Sequence, residues 1–109
     1  MDLSAIEISS AGMQVQRRRM DVIAANLANQ DSRLPSDEAS PMPSYRRRVA
    51  TIVAGPGGLP QLRVTEDGSG VNPLAEMVDL IAASRAYEAN LSAAEVAKSM
   101  HQGALRLLG

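Results

Sequence analysis

Few side chains in this sequence of 109 residues are of the types that carry out acid–base or metal chemistry. The single histidine is His101, and the adjacent carboxylates are Asp37-Glu38 and Glu66-Asp67. Both acidic pairs stand beside residues typical of turns, which favours solvated loop acids over a catalytic acid–base pair. There is no cysteine, and nothing else forms a cluster at metal-ligand spacing. We therefore predict no catalytic residue, no metal site and no cofactor.

Two other groups of residues could contact phosphates. Gly55-Pro56-Gly57-Gly58 lacks the lysine and the hydroxyl residue of a phosphate-binding loop, so it predicts a turn. The basic runs are Arg17-Arg18-Arg19 and Arg46-Arg47-Arg48, but the net charge of the chain is −1. Three consecutive arginines on a helix point in different directions and form no single phosphate-facing stripe. We expect solvated arginines or salt bridges between subunits, and no nucleic-acid partner.

Membrane-related segments are not predicted either. No stretch approaches the roughly 20 consecutive apolar residues of a membrane span. The segment Met1 to Ser10 carries Asp2 and Glu7 and lacks a basic region, so we expect no cleaved secretion signal.

A long helix is predicted at the start of the chain, from about Leu3 to Ala28. This stretch contains no proline and a single glycine, Gly12. One heptad position is consistently apolar, and its members are Ile6, Met13, Met20 and Leu27. The intermediate heptad positions are poorer, which makes an imperfect coiled-coil seam.

A second long helix is predicted from about Pro73 to Leu108. Pro73 suits the first helical position and Asn72 suits the N-cap. One stripe at helical spacing includes Met77, Leu80, Ser84, Tyr87, Leu91, Ala94, Lys98, His101, Leu105 and Leu108. A second stripe lies beside it: Leu74, Val78, Ile81, Ala82, Ala89, Val96 and Met100. A single partner helix cannot cover both.

The segment between the helices is rich in proline and glycine. Two short strands are predicted, Tyr45 to Val53 and Leu59 to Thr65, joined as a loose hairpin. Ser36 to Ser44 is predicted to be a flexible loop. The fold class is therefore mainly α: a coiled-coil-like pair of terminal helices, residues 1–30 and 73–109, with a loop and small β insert at 31–72.

Such a helix pair is weakly equipped to stand alone. The chain has no Trp or Phe and only two Tyr, and large rings normally dominate core energetics. A two-helix pair with few large side chains is marginal, so packing against copies or relatives is expected.

The asparagines on the helices also indicate packing against other helices. A buried asparagine on a helical seam fixes register at some cost in stability. Asn26 and Asn90 fit this role, whereas Asn29 also fits a helix C-cap.

Both ends of the chain resemble the bacterial flagellar rod, hook and hook-associated protein family. The first helix ends in Val22-Ile23-Ala24-Ala25-Asn26-Leu27-Ala28-Asn29, similar to the family's Asn-x-x-Asn signature. The second helix carries Val71-Asn72-Pro73-Leu74 and Ala83-Ser84-Arg85-Ala86-Tyr87-Glu88-Ala89-Asn90, similar to the C-terminal segment of proximal rod members. The chain has no room for the large extra domain of distal rod and hook members.

The resemblance implies a structural subunit of the proximal rod in the flagellar basal body. Terminal helices of many subunits would pack into a hollow axial shaft that transmits torque and conducts exported subunits. The implied partners are copies of itself, other rod proteins, the inner-membrane ring and export apparatus junction, and the distal rod. The implied route to this periplasmic location is flagellar type III export without signal cleavage.

Residues expected at the assembly interface come from both helices. The seam of the first helix is Ile6, Met13, Met20, Ile23 and Leu27, with Asn26 and Asn29 at its end. The residues expected to face it are Leu80, Tyr87, Leu91 and Leu105. Arg85 and Asn90 are expected to make polar contacts between subunits. A different proximal rod subunit and an unrelated helical adaptor remain alternatives at this point.

Overall fold

The computed structural model describes residues 4–30, 46–67 and 70–108. Helix α1 spans Ser4–Ala28, strand β1 Arg47–Ala54, strand β2 Pro60–Asp67 and helix α2 Pro73–Leu108. The two helices pack together and the strands form an antiparallel hairpin between them in sequence, so the predicted fold class is confirmed. The predicted loop Ser36–Ser44 and the pair Asp37-Glu38 lie outside the described residues.

The helix ends form as the local sequence predicts. The Asn72 side-chain oxygen accepts hydrogen bonds from the backbone N–H groups of Leu74 at 3.1 Å and Ala75 at 3.4 Å. This N-cap satisfies donors that lack partners in the first helical turn. At the end of α1, Asn29 donates from its backbone N–H and its side-chain Nδ2 to the Ala25 carbonyl. The alternative interpretation of Asn29 as a residue that caps the helix end is therefore confirmed.

The hairpin turn depends on two glycines. Strands β1 and β2 pair in register from Arg47 opposite Asp67 to Ala54 opposite Pro60. A short 3-10 turn joins them, and its residues Gly57 and Gly58 have φ values of 71° and 75°. Residues with a Cβ rarely adopt this left-handed region, so the Gly-Pro-Gly-Gly sequence serves a turn, as predicted.

The helices run antiparallel, and Gly12 lies against Asn90. A Cβ atom at Gly12 would come within 2.8 Å of Asn90 Nδ2. Because α2 is the longer helix, residues beyond Lys98 extend about 15 Å past Ser4, at about 1.5 Å of rise per residue. The radius of gyration is 19.1 Å, against about 13 Å for a compact domain of this length.

The interior of this elongated chain is small and rather polar. Among the described residues, the buried apolar side chains are Val15, Ile23 and Ala83. Four polar or charged residues are also buried: Ser9, Gln16, Asn26 and Glu76. No residue of the hairpin belongs to either set. Small side chains let the helices approach closely, and polar contacts supply part of the cohesion.

The close approach at Gly12 gives a testable expectation. We expect Gly12→Val to destabilise the helix pair by about 1–3 kcal/mol, because overpacking forces neighbouring side chains to shift. Thermal unfolding followed by far-UV circular dichroism measures this change. Gly103→Val is the matched control, since a Cβ there would meet no atom within 4 Å. Equal destabilisation by both variants would contradict the close contact.

Candidate assembly interface

The predicted seam residues of α1 lie at the flank of the helix pair rather than at its centre. Ile23 is buried, whereas Ile6, Met13, Met20 and Leu27 are half-buried. The centre of the contact is formed by smaller or polar residues of α1, including Ser9, Gly12 and Gln16. The heptad stripe therefore retains apolar surface that this chain alone does not cover.

The residues of α2 that are predicted to face α1 are also not buried. Leu80, Tyr87 and Asn90 are half-buried, while Arg85, Leu91 and Leu105 are exposed. Asp79 lies beside Arg47 and Val49 of β1 in one shallow cleft. Helical spacing puts Leu80, Tyr87 and Leu91 on the other flank of α2, away from the hairpin.

The second apolar stripe predicted for α2 faces away from α1. Its large members, together with Met77 of the first stripe, form what we call the outer face of α2: Leu74, Met77, Val78, Ile81, Val96 and Met100. Each of its side chains is more than half exposed, as are Leu105, Leu107 and Leu108 near the end of the helix. The prediction that one chain leaves a stripe uncovered is thus confirmed. Exposed large apolar side chains grouped on one helix face are typical of an interaction site.

Asn26 holds the base of the hairpin against the end of α1. Its side chain is fully buried. Its Nδ2 donates to the Arg48 carbonyl at 2.8 Å, and its Oδ1 accepts from the Arg48 backbone N–H at 3.0 Å. The amide thus pairs with both main-chain groups of one strand residue, as a neighbouring strand would. A carboxylate could not do this, because it has no donor at neutral pH.

Arg47 connects β1 to α2 and to β2. Its Nε donates to Glu76 Oε1, and its Nη1 donates to Asp67 Oδ2 at 3.1 Å. The Glu76 side chain is only 1% exposed. Hydrogen bonding to Glu76 raises the pKa of the Arg47 guanidinium, which therefore remains charged until the solution is strongly alkaline. The ion pair lies within the chain, which corrects the expectation that Arg47 is solvated or pairs between subunits.

Sequence reasoning missed this junction because its members are distant in sequence. Arg47 and Glu76 are 29 positions apart, and Asn26 and Arg48 are 22 apart. Arg47 stands directly opposite Asp67 in the hairpin register, and this cross-strand pair is the one signal that a correct hairpin alignment could have given.

The described residues contain no group of three or more His, Asp or Glu side chains that could hold a metal ion. None of the described helices has the length and hydropathy of a membrane span.

Two family profiles match this chain, one at each end. The profile described as "Flagella basal body rod protein" matches residues 6–32, which include most of α1. The profile described as "Flagellar basal body rod FlgEFG protein C-terminal" matches residues 66–107, which include most of α2. The matched segments thus carry both helices of the pair.

Whole-length comparisons give similar results. The chain is 32% identical to a protein named flagellar basal-body rod protein FlgC from Aquifex aeolicus, over 94% of each chain. It is 32% identical to the FlgC of Borreliella burgdorferi, over 96% of each chain. The FlgC of Bacillus subtilis is 28% identical over 94% of this chain and 95% of that protein. The last alignment has 143 positions, so that relative carries residues that this chain lacks.

Proposed function

This chain belongs to the FlgC family of flagellar basal-body rod proteins, and on that premise we propose that it builds the proximal rod by helix packing. It is a structural rod protein and not an enzyme. The proposed interface is formed by the outer face of α2 and by the half-buried heptad stripe of α1.

One observation carries this proposal: the chain exposes more large apolar side chains than it buries. Thirteen large hydrophobic residues are exposed, against three buried apolar residues, among the described part of the chain. Burying an exposed Val, Leu, Ile or Met side chain contributes about 1.5–3 kcal/mol. Neighbouring helices that cover these residues would supply the stabilisation that the single chain lacks.

The end of α2 supports the same proposal. Leu107 and Leu108 are 90% and 85% exposed, on a part of the helix that extends beyond the start of α1. No described residue of α1 or of the hairpin covers these two side chains, and we propose that neighbouring chains do. Contacts between unlike surfaces that do not close into a ring generate a helical shaft.

The finer parts of the proposal concern partners and location. Besides the outer face of α2, we assign to the interface the predicted residues that keep accessible surface: Ile6, Met13, Met20, Leu27, Asn29, Leu80, Arg85, Tyr87, Asn90, Leu91 and Leu105. The predicted residues Ile23 and Asn26 are buried within the single chain, so we do not place them between chains. The partners are other rod proteins and copies of this chain, with the inner-membrane ring and export apparatus on one side and the distal rod on the other. The hollow shaft stands in the periplasm and is reached through the flagellar type III exporter.

A measurement on the isolated chain tests this assembly proposal. We expect the helicity of the purified protein to rise with concentration, because its helices gain stability only when neighbours cover their apolar faces. Far-UV circular dichroism at several concentrations, with analytical ultracentrifugation of the same samples, follows helicity and mass together. A fully helical monomer at all concentrations would favour a self-sufficient helical adaptor instead.

A further inference from the structure

In the described part of the chain, one polar junction joins both helices and both strands. Asn26 is near the end of α1, Arg47 and Arg48 begin β1, Asp67 ends β2, and Glu76 is in the first turn of α2. Asn26 binds the main chain of Arg48, and Arg47 binds Glu76 and Asp67. Two consecutive strand residues are therefore bonded to the three other elements.

Apart from these bonds, the hairpin contacts α1 through side chains that are at most half-buried. It contributes no buried side chain among the described residues, and a two-stranded hairpin is at best marginally stable in water. Near its turn, Leu59, Pro60 and Leu62 line only shallow clefts with Ala11 and Val15 of α1. The polar contacts at the base are consequently the points at which the hairpin is bonded to buried side chains, those of Asn26 and Glu76.

These contacts cannot form on one helix alone. Asn26 approaches β1 from α1, whereas the Glu76 carboxylate approaches from α2. Both are almost completely buried, and a buried polar group is costly unless its partner is present. Separating the helices would remove one fixed point and expose the other to water, which competes for the same hydrogen bonds.

We infer that Asn26, Arg47 and Glu76 form a latch that docks the hairpin on the helices only when α1 and α2 are paired. The hairpin then has one fixed orientation on the helices when they are paired. It has no fixed orientation when the helices are separated. This inference concerns the single chain and does not depend on the proposed rod function.

A disulfide between the helices allows a direct test. Gly12→Cys with Asn90→Cys places the two new side chains where a Gly12 Cβ would lie 3.0 Å from Asn90 Cγ. Asn90 Cβ is bonded to that Cγ, so the two Cβ atoms lie within about 4.5 Å of each other, and disulfides need Cβ atoms about 3.5–4.5 Å apart. The natural chain has no cysteine, so this bond can be opened and closed without side reactions. The measurement is amide hydrogen exchange of residues 47–54 and 61–67, in the full chain at a low protein concentration.

The latch predicts that hairpin exchange depends on the disulfide. Closing the bond should slow exchange in both strands by about tenfold or more, because the hairpin docks when the helices are held together. Adding Asn26→Ala, or the nearly isosteric Asn26→Asp, should abolish most of this slowing while circular dichroism reports unchanged helicity. Asn29→Ala is the matched control: that amide bonds to Ala25 within its own helix end, so the slowing should remain.

Two results would overturn the inference. Equal hairpin protection with the disulfide open and closed would show that docking does not depend on helix pairing. Protection that appears on closure but survives both Asn26 variants would show that the latch is not its cause.

Discussion

Arg47→Met is expected to lower the free energy of unfolding by about 3–5 kcal/mol, the usual cost of removing one partner from a buried ion pair. The variant leaves the carboxylate of Glu76, which is 1% exposed, without the guanidinium that neutralises it. Asp67 loses its pairing as well, but at 40% side-chain exposure it regains water. Urea unfolding, at a protein concentration at which the parent chain is helical, gives the free energy of unfolding directly.

Two companion variants distinguish the ion pair from a general effect of losing an arginine. Arg48→Met changes the neighbouring residue, whose side chain is exposed and whose contact with Asn26 uses only the main chain. We expect it to stay within about 0.5 kcal/mol of the parent. The double variant Arg47→Met with Glu76→Met should be milder than Arg47→Met alone, because no buried charge is left without its partner. If Arg47→Met and Arg48→Met lower the free energy of unfolding equally, Glu76 does not need Arg47 as its ion-pair partner.

The elements of this fold could be predicted because their signals are local. Asn72 and Pro73 mark the start of α2 by their own chemistry, and the observed capping bonds involve residues two and three positions away. The hairpin follows from alternating strand residues on both sides of a glycine-rich turn. Each of these features depends on a few consecutive residues, so no tertiary information is needed.

The details of the helix contact could not be predicted from apolar periodicity. The pattern in α1 points to Ile6, Met13, Met20 and Leu27 as the centre of the contact, but the buried centre contains Ser9 and Gly12. Gly12 leaves room for the Asn90 side chain, and hydrophobic spacing carries no information about such a requirement. The remaining apolar residues on the flank are then available to further chains.

The polar junction could not be predicted from the sequence, for a different physical reason. An asparagine in the last turn of a helix, a strand arginine and a first-turn glutamate each have an adequate local explanation. Their shared role depends on the angle at which the hairpin crosses the helices, which brings Asn26 and Glu76 to adjacent residues of β1. Nothing in the local sequence sets that angle.

Ile81→Asp should abolish motility without unfolding the protein. Ile81 lies in the outer face of α2 and is 54% exposed, so the isolated chain should lose no more than about 0.5 kcal/mol. In the rod, the same change would forgo about 1.5–3 kcal/mol of side-chain burial at each occupied site and would bury an unpaired carboxylate. Complementation of a strain lacking this protein, scored by swimming and by recovery of the chain in purified basal bodies, measures the loss.

The conservative variant Ile81→Val decides whether apolar burial is the cause. It keeps an apolar, β-branched side chain at the same position, and the usual cost of this change in a packed site is about 0.5–1.5 kcal/mol. Swimming should therefore persist, though reduced. Val96→Asp, 15 positions further along the same face, should reproduce the defect of Ile81→Asp. Motile cells with full incorporation of both aspartate variants would show that this face of α2 remains in water in the assembled rod, and the interface would then have to be formed by the α1 flank and the end of α2.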